Sequence, residues 1–342
     1  MKTIKLGDQH NFGNYVTVNT DWVKKPRTVF WEFLFLSDKS LLRVQLDSVF
    51  KEELVYSPFD LFLSLDFKNI TKTSGEVEFA QLENRVDLGS LSKAEIQQVG
   101  ALLAMCFWFG IGDLHTENML IGRNLDKLVC SPIDIESIFE NMTHVTQTML
   151  LPSKRIPLEK CGLAEIIKYI PKEMAHVLLT SFSNSVTLLN KYGQQILYEA
   201  MTEYDFNHPI RVIVKDTAFY KSCLSTDDLS SLFLTEKEQI NRQDIPYYFR
   251  FYSSNEIYYW NTSSTYLNSG FNYLDLKLCT PIKIKSKRTE DFSKTFTTNL
   301  SLRHLCKIFG TETDLKSLRQ LSYKQLNNLQ IPALKKIELL HA

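Results

Sequence analysis

Glycine is scarce in this chain, at 12 of 342 residues. That excludes a collagen-like or glycine-punctuated repeat, and no internal repeat or low-complexity linker takes its place. Excess charge is absent too: Lys+Arg and Asp+Glu both total 39. No overall field draws the chain toward nucleic acid or an anionic membrane, and neither is expected as a partner. The six cysteines, Cys106, Cys130, Cys161, Cys223, Cys279 and Cys306, form no CxxC or CxH pair. Neither a structural zinc site nor a disulfide framework is indicated, and Cys106 and Cys130, set in apolar runs, are expected in the core. The first residues carry no apolar signal segment, and the longest apolar run, Val99 to Ile111, is too short to span a bilayer. A reduced, cytoplasmic setting is the expectation.

What remains is ordinary globular material, 44% hydrophobic and 23% charged. The length suffices for one large core or two lobes sharing a cleft. Asn14 to Val18 and Asp21 to Lys25 read as two short strands joined by the polar turn Asn19-Thr20. Phe30 to Leu36 is an almost unbroken apolar run ended by Ser37-Asp38-Lys39-Ser40. Between Leu41 and Leu65 helical and loop signals mix, and Gly75 to Leu82 reads as another strand. Ser92 and Glu95 form an S-x-x-E capping box. Behind it Ile96, Val99, Leu102, Leu103, Cys106 and Phe109 recur at helical spacing, which predicts a buried pillar leading into a sharp turn at Gly112-Asp113. Two apolar runs, Asn118 to Ile121 and Lys127 to Cys130, predict a hairpin with Asp113 and Asn118 at one end and Asp134 just past the other. Helical patterns dominate Gly162 to Tyr204, Ile210 to Val214 reads as a brief strand, and Asp314 to Leu340 as an amphipathic helix. A polar hinge at Asn84 to Ser90 divides a strand-rich lobe, 1–88, from a helix-rich lobe, 89–342. The class is α+β.

The chemistry-bearing stretch is Gly112 to Asn118, GDLHTEN, followed by Pro132 to Glu136, PIDIE. In kinase-type sites an aspartate positions or deprotonates the attacking hydroxyl, an asparagine and a second aspartate hold Mg²⁺ on the ATP phosphates, and a strand lysine pairs with those phosphates. Asp113, Asn118, Asp134 and Lys25 match these roles in order. Glu136 offers a second carboxylate to the metal, and oxygen ligands in this number suit Mg²⁺. No GxGxxG loop precedes Lys25, so an ordinary protein kinase is excluded. Each residue also has a plainer reading. His115 could cap the turn after the long helix, Glu117 could be a surface residue, and Asp134 and Glu136 could be structural. Lys25 could be a solvated strand end, Asp8 and His10 turn residues, and Arg211 an ion-pair partner of a helical carboxylate. Thr217 could simply start a helix, Asp244 with Pro246 fits a structural turn, and the aromatics of Tyr247 to Tyr259 read as packing.

Ala101 to Ala104 leading into GDLHTEN and PIDIESIF resembles the dehydratase domain of the type 2 lanthipeptide synthetases, which read through D-x-H-x-E-N and D-x-E. Gly7-Asp8-Gln9-His10 and Lys25-Pro26-Arg27 resemble that family's G-D-x-H and Y-K-P-R stretches. Arg211 and Thr217 resemble its R-x-x-x-x-x-T pair, with Tyr220 following, and Glu238 with Asp244 to Tyr247 resembles its E…G-D-I-P-Y-F. Five motifs keep one order over residues 7 to 247.

The resemblance implies a two-lobed, lipid- or protein-kinase-like fold. It implies a phosphotransferase and lyase that uses ATP and Mg²⁺ to phosphorylate Ser or Thr of a precursor peptide, then eliminates the phosphate. By resemblance, Arg211 and Thr217 would hold the leaving phosphate, and Lys25 would serve ATP and the elimination step. Asp8 and His10 would be active-site residues, and His115 would orient the Asp113 loop. The pattern departs from the family in a shorter Asp8-to-Lys25 spacing, Lys24 for tyrosine, Gln243 for glycine and a longer loop at Arg123 to Asp126. The family's N-terminal helical region and C-terminal zinc cyclase have no counterpart here. Ring closure is therefore not expected, and a separate cyclase or leader-binding protein is the implied partner. A peptide kinase without elimination, and a catalytically silent nucleotide- or peptide-binding scaffold, are the alternatives.

Overall fold

A polar hairpin, β1 (Ile4–His10) with β2 (Asn14–Val18), opens the described fold, and Ile4 faces Val18 while His10 faces Asn14. The computed structural model describes residues 4–278 apart from 81, 83–87, 154, 155, 227 and 263, together with 304, 305 and 308. The register shifts between Leu6 and His10, where Gly7 takes φ +71°, a conformation that a bulge requires and glycine adopts without strain. β1 escapes a period-two reading because the alternation of Ile4-Lys5-Leu6 breaks off at Gly7. Next come β3 (Trp22–Lys25), β4 (Phe67–Lys68) and β5 (Gly75–Glu78). All five pair antiparallel in the order β1-β2-β3-β5-β4. Asn19 Oδ1 accepts from the Asp21 and Trp22 amides and so makes the β2–β3 turn.

The apolar run after β3 is a helix, α1 (Phe30–Leu36), and the mixed region after it holds α2 (Leu41–Leu54). Apolar on nearly every side, α1 has to be buried all round, and Phe30, Trp31, Leu34, Phe35 and Leu36 are. α3 (Lys93–Trp108) starts at the expected capping box, the Ser92 amide donating to Glu95 Oε2 at 2.7 Å and the Glu95 amide to Ser92 Oγ at 3.2 Å. It packs on α5 (Ala175–Glu203), which follows the short α4 (Ala164–Lys168). At Gly100 the helices approach so closely that a Cβ would lie 2.6 Å from the Leu178 carbonyl. One continuous core joins Trp31 and Phe35 of α1, Leu46 and Phe50 of α2, Leu102 and Leu103 of α3, and Leu178 and Phe182 of α5. Cys106 and Cys130 lie fully buried in it.

Between α3 and α4 the chain forms the expected hairpin, β6 (Met119–Asn124) and β7 (Lys127–Pro132), with Met119 opposite Pro132. Beyond α5, β8 (Ile210–Val212), β9 (Tyr248–Arg250), β10 (Glu256–Trp260) and β11 (Tyr266–Asn272) form an antiparallel sheet in the order β11-β10-β9-β8. Helices α6 (Thr217–Thr226) and α7 (Leu234–Asn241) lie between β8 and β9, and α8 (Tyr273–Leu278) follows β11. The expected aromatic packing is there, with the Phe249 and Trp260 rings stacked at 4.8 Å. The architecture is α+β with antiparallel sheets. Most of the Asn84 to Ser90 hinge and the Asp314 to Leu340 helix lie outside the described residues. Among the described residues no helix is long and apolar enough to cross a membrane.

Candidate active site

The chain leaves the pillar helix α3 through Gly110, which takes φ +63°. A Cβ there would sit 2.3 Å from the Glu140 carbonyl oxygen, so only glycine fits. The chain thus already bends at Gly110, ahead of the turn expected at Gly112-Asp113, where Asp113 is left-handed at φ +60°. Main-chain bonds fix both sides of it: the Gly112 amide donates to Ser137 O at 2.9 Å and the Leu114 amide to Thr148 O at 3.0 Å. A residue held at such a φ costs of order 1–3 kcal/mol, a burden that clusters at functional sites.

Asn118 closes this loop. Its amide nitrogen donates to the Asp113 carbonyl at 2.8 Å, which leaves Oδ1 unused by that bond. Its own carbonyl accepts from the Ile133 amide at 3.0 Å, which sets Asp134 beside it. His115 caps the intervening turn, Nδ1 accepting from the Glu117 amide at 3.3 Å. That bond puts the ring proton on Nε2, 3.9 Å from Asp113 Oδ1. The capping and orienting readings of His115 are thus met by one ring. Glu117 is exposed.

Lys25, at the end of β3, is only 7% exposed, which removes the solvated-strand reading. All three N–H bonds of its ammonium are engaged, to Glu32 Oε1 at 3.1 Å, Ile133 O at 3.0 Å and Asp134 Oδ1 at 3.3 Å. Two further members of this cluster are not among the expected site residues, and one of them, Arg27, entered only as the end of the K-P-R stretch. Glu32 is buried on α1, and Arg27 spans three carboxylates: Glu32 Oε1 at 2.6 Å, Glu136 Oε2 at 2.9 Å, and Asp134 Oδ1 in a short ion pair. The signal for Glu32 was present as the one charge inside FWEFLFL, since a lone carboxylate in a buried helix needs partners.

Glu136, expected in a metal shell, instead has both oxygens taken by guanidiniums, Oε2 by Arg27 and Oε1 by Arg211 of β8. In this arrangement it is an ion-pair bridge. His10 adjoins the same end, Nδ1–H donating to Ile245 O at 3.1 Å and its ring edge-on to Tyr247 at 6.0 Å. Burial, then the neighbouring Arg211, lower its pKa. The ring is neutral at pH 7, with Nε2 as an acceptor. Asp8 is paired with Lys221 of α6 at 2.8 Å. Thr217 is the first residue of α6, where Asp216 accepts the Phe219 amide at 2.6 Å. Among the described residues neither Asp8 nor Thr217 is hydrogen-bonded to the central cluster. Asp244 has the structural role expected of it. It accepts from the Phe12 and Gly13 amides at 2.8 and 2.9 Å and pins the β1–β2 tip.

The two aspartates are driven in opposite directions. Burial raises Asp113 to about 6, with Arg211 only partly opposing. For Asp134 burial also raises the pKa, but Arg27, Lys25 and Arg211 overcome it and hold the group down at about 2. Among the described residues no three or more His, Cys, Asp or Glu side chains are grouped to hold a metal ion. Mg²⁺ on nucleotide phosphates needs only one or two protein ligands, and Asn118 Oδ1 with the second oxygen of Asp134 fits that demand. Two surface cavities of about 320 and 350 Å³ both border Tyr252 and contain none of these residues. No protein-family model matches this sequence, and no curated protein matches it.

Proposed function

We propose that the chain is an ATP- and Mg²⁺-dependent modifier of Ser and Thr in a precursor peptide, a dehydratase of the lanthipeptide type built on a kinase-like arrangement. In that arrangement the β1–β5 sheet with α1 serves as the nucleotide lobe. One observation carries the reading. A buried strand lysine, Lys25, pairs with a helical glutamate, Glu32, and also reaches Asp134, which the Asn118–Ile133 bond sets beside the Asp113–Asn118 loop. A strand lysine paired with a helix glutamate, next to an aspartate–asparagine–aspartate set, is the working layout of phosphoryl transfer.

In the first half-reaction Asp113 takes the proton of the substrate hydroxyl as its oxygen bonds the γ-phosphorus and the bond to the bridging oxygen breaks, releasing ADP. A carboxylate with a pKa near 6 suits that task close to neutral pH. Asn118 and Asp134 would hold Mg²⁺, which neutralises phosphate charge when bound. In the second, His10 Nε2 accepts the Cα proton, the C–H pair becomes the Cα=Cβ bond, and the Cβ–O bond breaks. Arg211, fixed beside His10, stabilises the departing phosphate.

Intact-mass spectrometry of a Ser/Thr-rich peptide encoded beside this chain, incubated with it, ATP and Mg²⁺, tests the reading. Loss of one water per site is the expected result. A retained phosphate would make the chain a kinase, and an unchanged mass with no Mg²⁺-dependent nucleotide binding would make it a scaffold.

A further inference from the structure

Glu136 has a carboxylate 7% exposed and one oxygen for each of two guanidiniums. Its main chain does a separate job, the Arg211 amide donating to Glu136 O at 2.8 Å. The backbone of β8 is therefore placed without the side chain, and the side chain, besides pairing with Arg27, governs where the Arg211 head group lies. That head group is 5.5 Å from the Tyr247 ring centroid, so it is gripped by Glu136 at Nη1 and lies over an aromatic face. Its Nε and Nη2 make no hydrogen bond to any described protein group, which leaves two donor nitrogens of a half-buried, oriented guanidinium for an anion. On the other side, Arg27 ties Glu136 to Asp134 and Glu32. The cluster is thus a chain of alternating charges running from the nucleotide lysine to the arginine next to His10.

We propose that Glu136 is a positioning residue for the elimination step, holding Arg211 in the pose that receives the departing phosphate, with Arg27 as its anchor on the nucleotide side. This rests on the dehydratase reading above. The two roles available to Glu136 separate cleanly. A metal ligand would be needed first for phosphoryl transfer, whereas an arginine tether would be needed first for elimination.

The test uses the full chain in two assays: a Ser-containing peptide with ATP and Mg²⁺, and the same peptide synthesised with phosphoserine, with ADP and Mg²⁺. Glu136→Gln keeps the shape and the backbone bond but presents an N–H to one guanidinium. Its elimination from the phosphopeptide should fall about a hundredfold, as for loss of one oriented anion donor. Phosphorylation should fall much less, so phosphopeptide accumulates. Glu136→Asp keeps the charge but is too short to span both arginines, and should recover part of the elimination rate. A melting curve for each variant, with and without nucleotide, reports the fold separately. Loss of phosphorylation ahead of elimination, or equal loss of both in a folded variant, would overturn the proposal. A wild-type chain that phosphorylates but leaves the phosphopeptide intact would overturn it while sparing the kinase reading. A wild-type chain that does neither would instead sink the functional reading itself.

Discussion

Asp113 and Asp134 share one site and end up opposite in character. Asp134 sits where Lys25 and Arg27 converge, and those cations hold it ionised down to about pH 2. Asp113 sits on a left-handed loop with no cation bonded to its carboxylate, only His115 Nε2 3.9 Å away, and burial lifts it to about 6. Environments that push two carboxylates apart assign their roles: the permanently charged one suits a cation, and the one that titrates near neutrality suits a proton.

The largest expected effect breaks the charged side of this comparison. Asp134→Asn should reduce peptide-dependent ATP consumption by about a thousandfold or more, and undiminished consumption would refute its assignment. Asp113→Asn should cost about 10² to 10⁴ in turnover, yet shift stability the other way. Because its folded pKa is raised, the native state holds that proton more tightly than the unfolded chain. Stability therefore declines as pH rises from about 4 through about 6. Asn cannot ionise, so Asp113→Asn should melt higher than wild type at neutral pH and Asp134→Asn lower. A shared sign in the two melting curves would contradict the contrast. The pH–rate profile should carry a rising limb near pH 6 that reports Asp113.

Glu32→Gln sharpens the comparison from beneath. It removes the buried carboxylate shared by Lys25 and Arg27 and should destabilise the fold by ~3 kcal/mol, read by chemical denaturation. The smallest effect lies outside the site. His208 is buried with Nδ1 2.8 Å from Thr28 Oγ1 and its ring stacked on Phe30 at 4.4 Å. Burial holds its pKa down to about 4, so stability present above pH 6.5 is lost as the pH falls toward 4. His208→Phe should flatten that slope in acid titrations of stability, without altering the Asp113 limb of the rate profile.

The parts of the fold legible in the sequence were those written in local signals. The Ser92–Glu95 box, the turn at Asn19 and the β6–β7 hairpin depend on residues a few positions apart, and each is where its residues indicate. α1 was not assignable because a run apolar on every side carries no period. β1 was missed because a bulge at Gly7 interrupts its alternation. In the candidate site, the Asp113–Asn118 loop and Asp134 could be named from spacing. The role of Arg27 could not be read beyond its place in the K-P-R stretch, because an ion pair such as that with Asp134, about a hundred positions away, leaves no local trace, whereas Glu32 did leave one as the lone charge in FWEFLFL. The same non-locality turns Glu136 from an expected ligand into a bridge between Arg27 and Arg211.

The site's central claim, that Asn118 and Asp134 take a metal–nucleotide pair at the Lys25 end, can be tested without any peptide. The measurement is the melting temperature of the wild-type chain and of Asp134→Asn with ATP, in the presence and absence of Mg²⁺. Selective binding to the folded state should raise the wild-type melting temperature only when both are present, and Asp134→Asn should lose that increment. A wild-type chain that melts at the same temperature in all conditions, or an increment that survives in Asp134→Asn, would contradict the account.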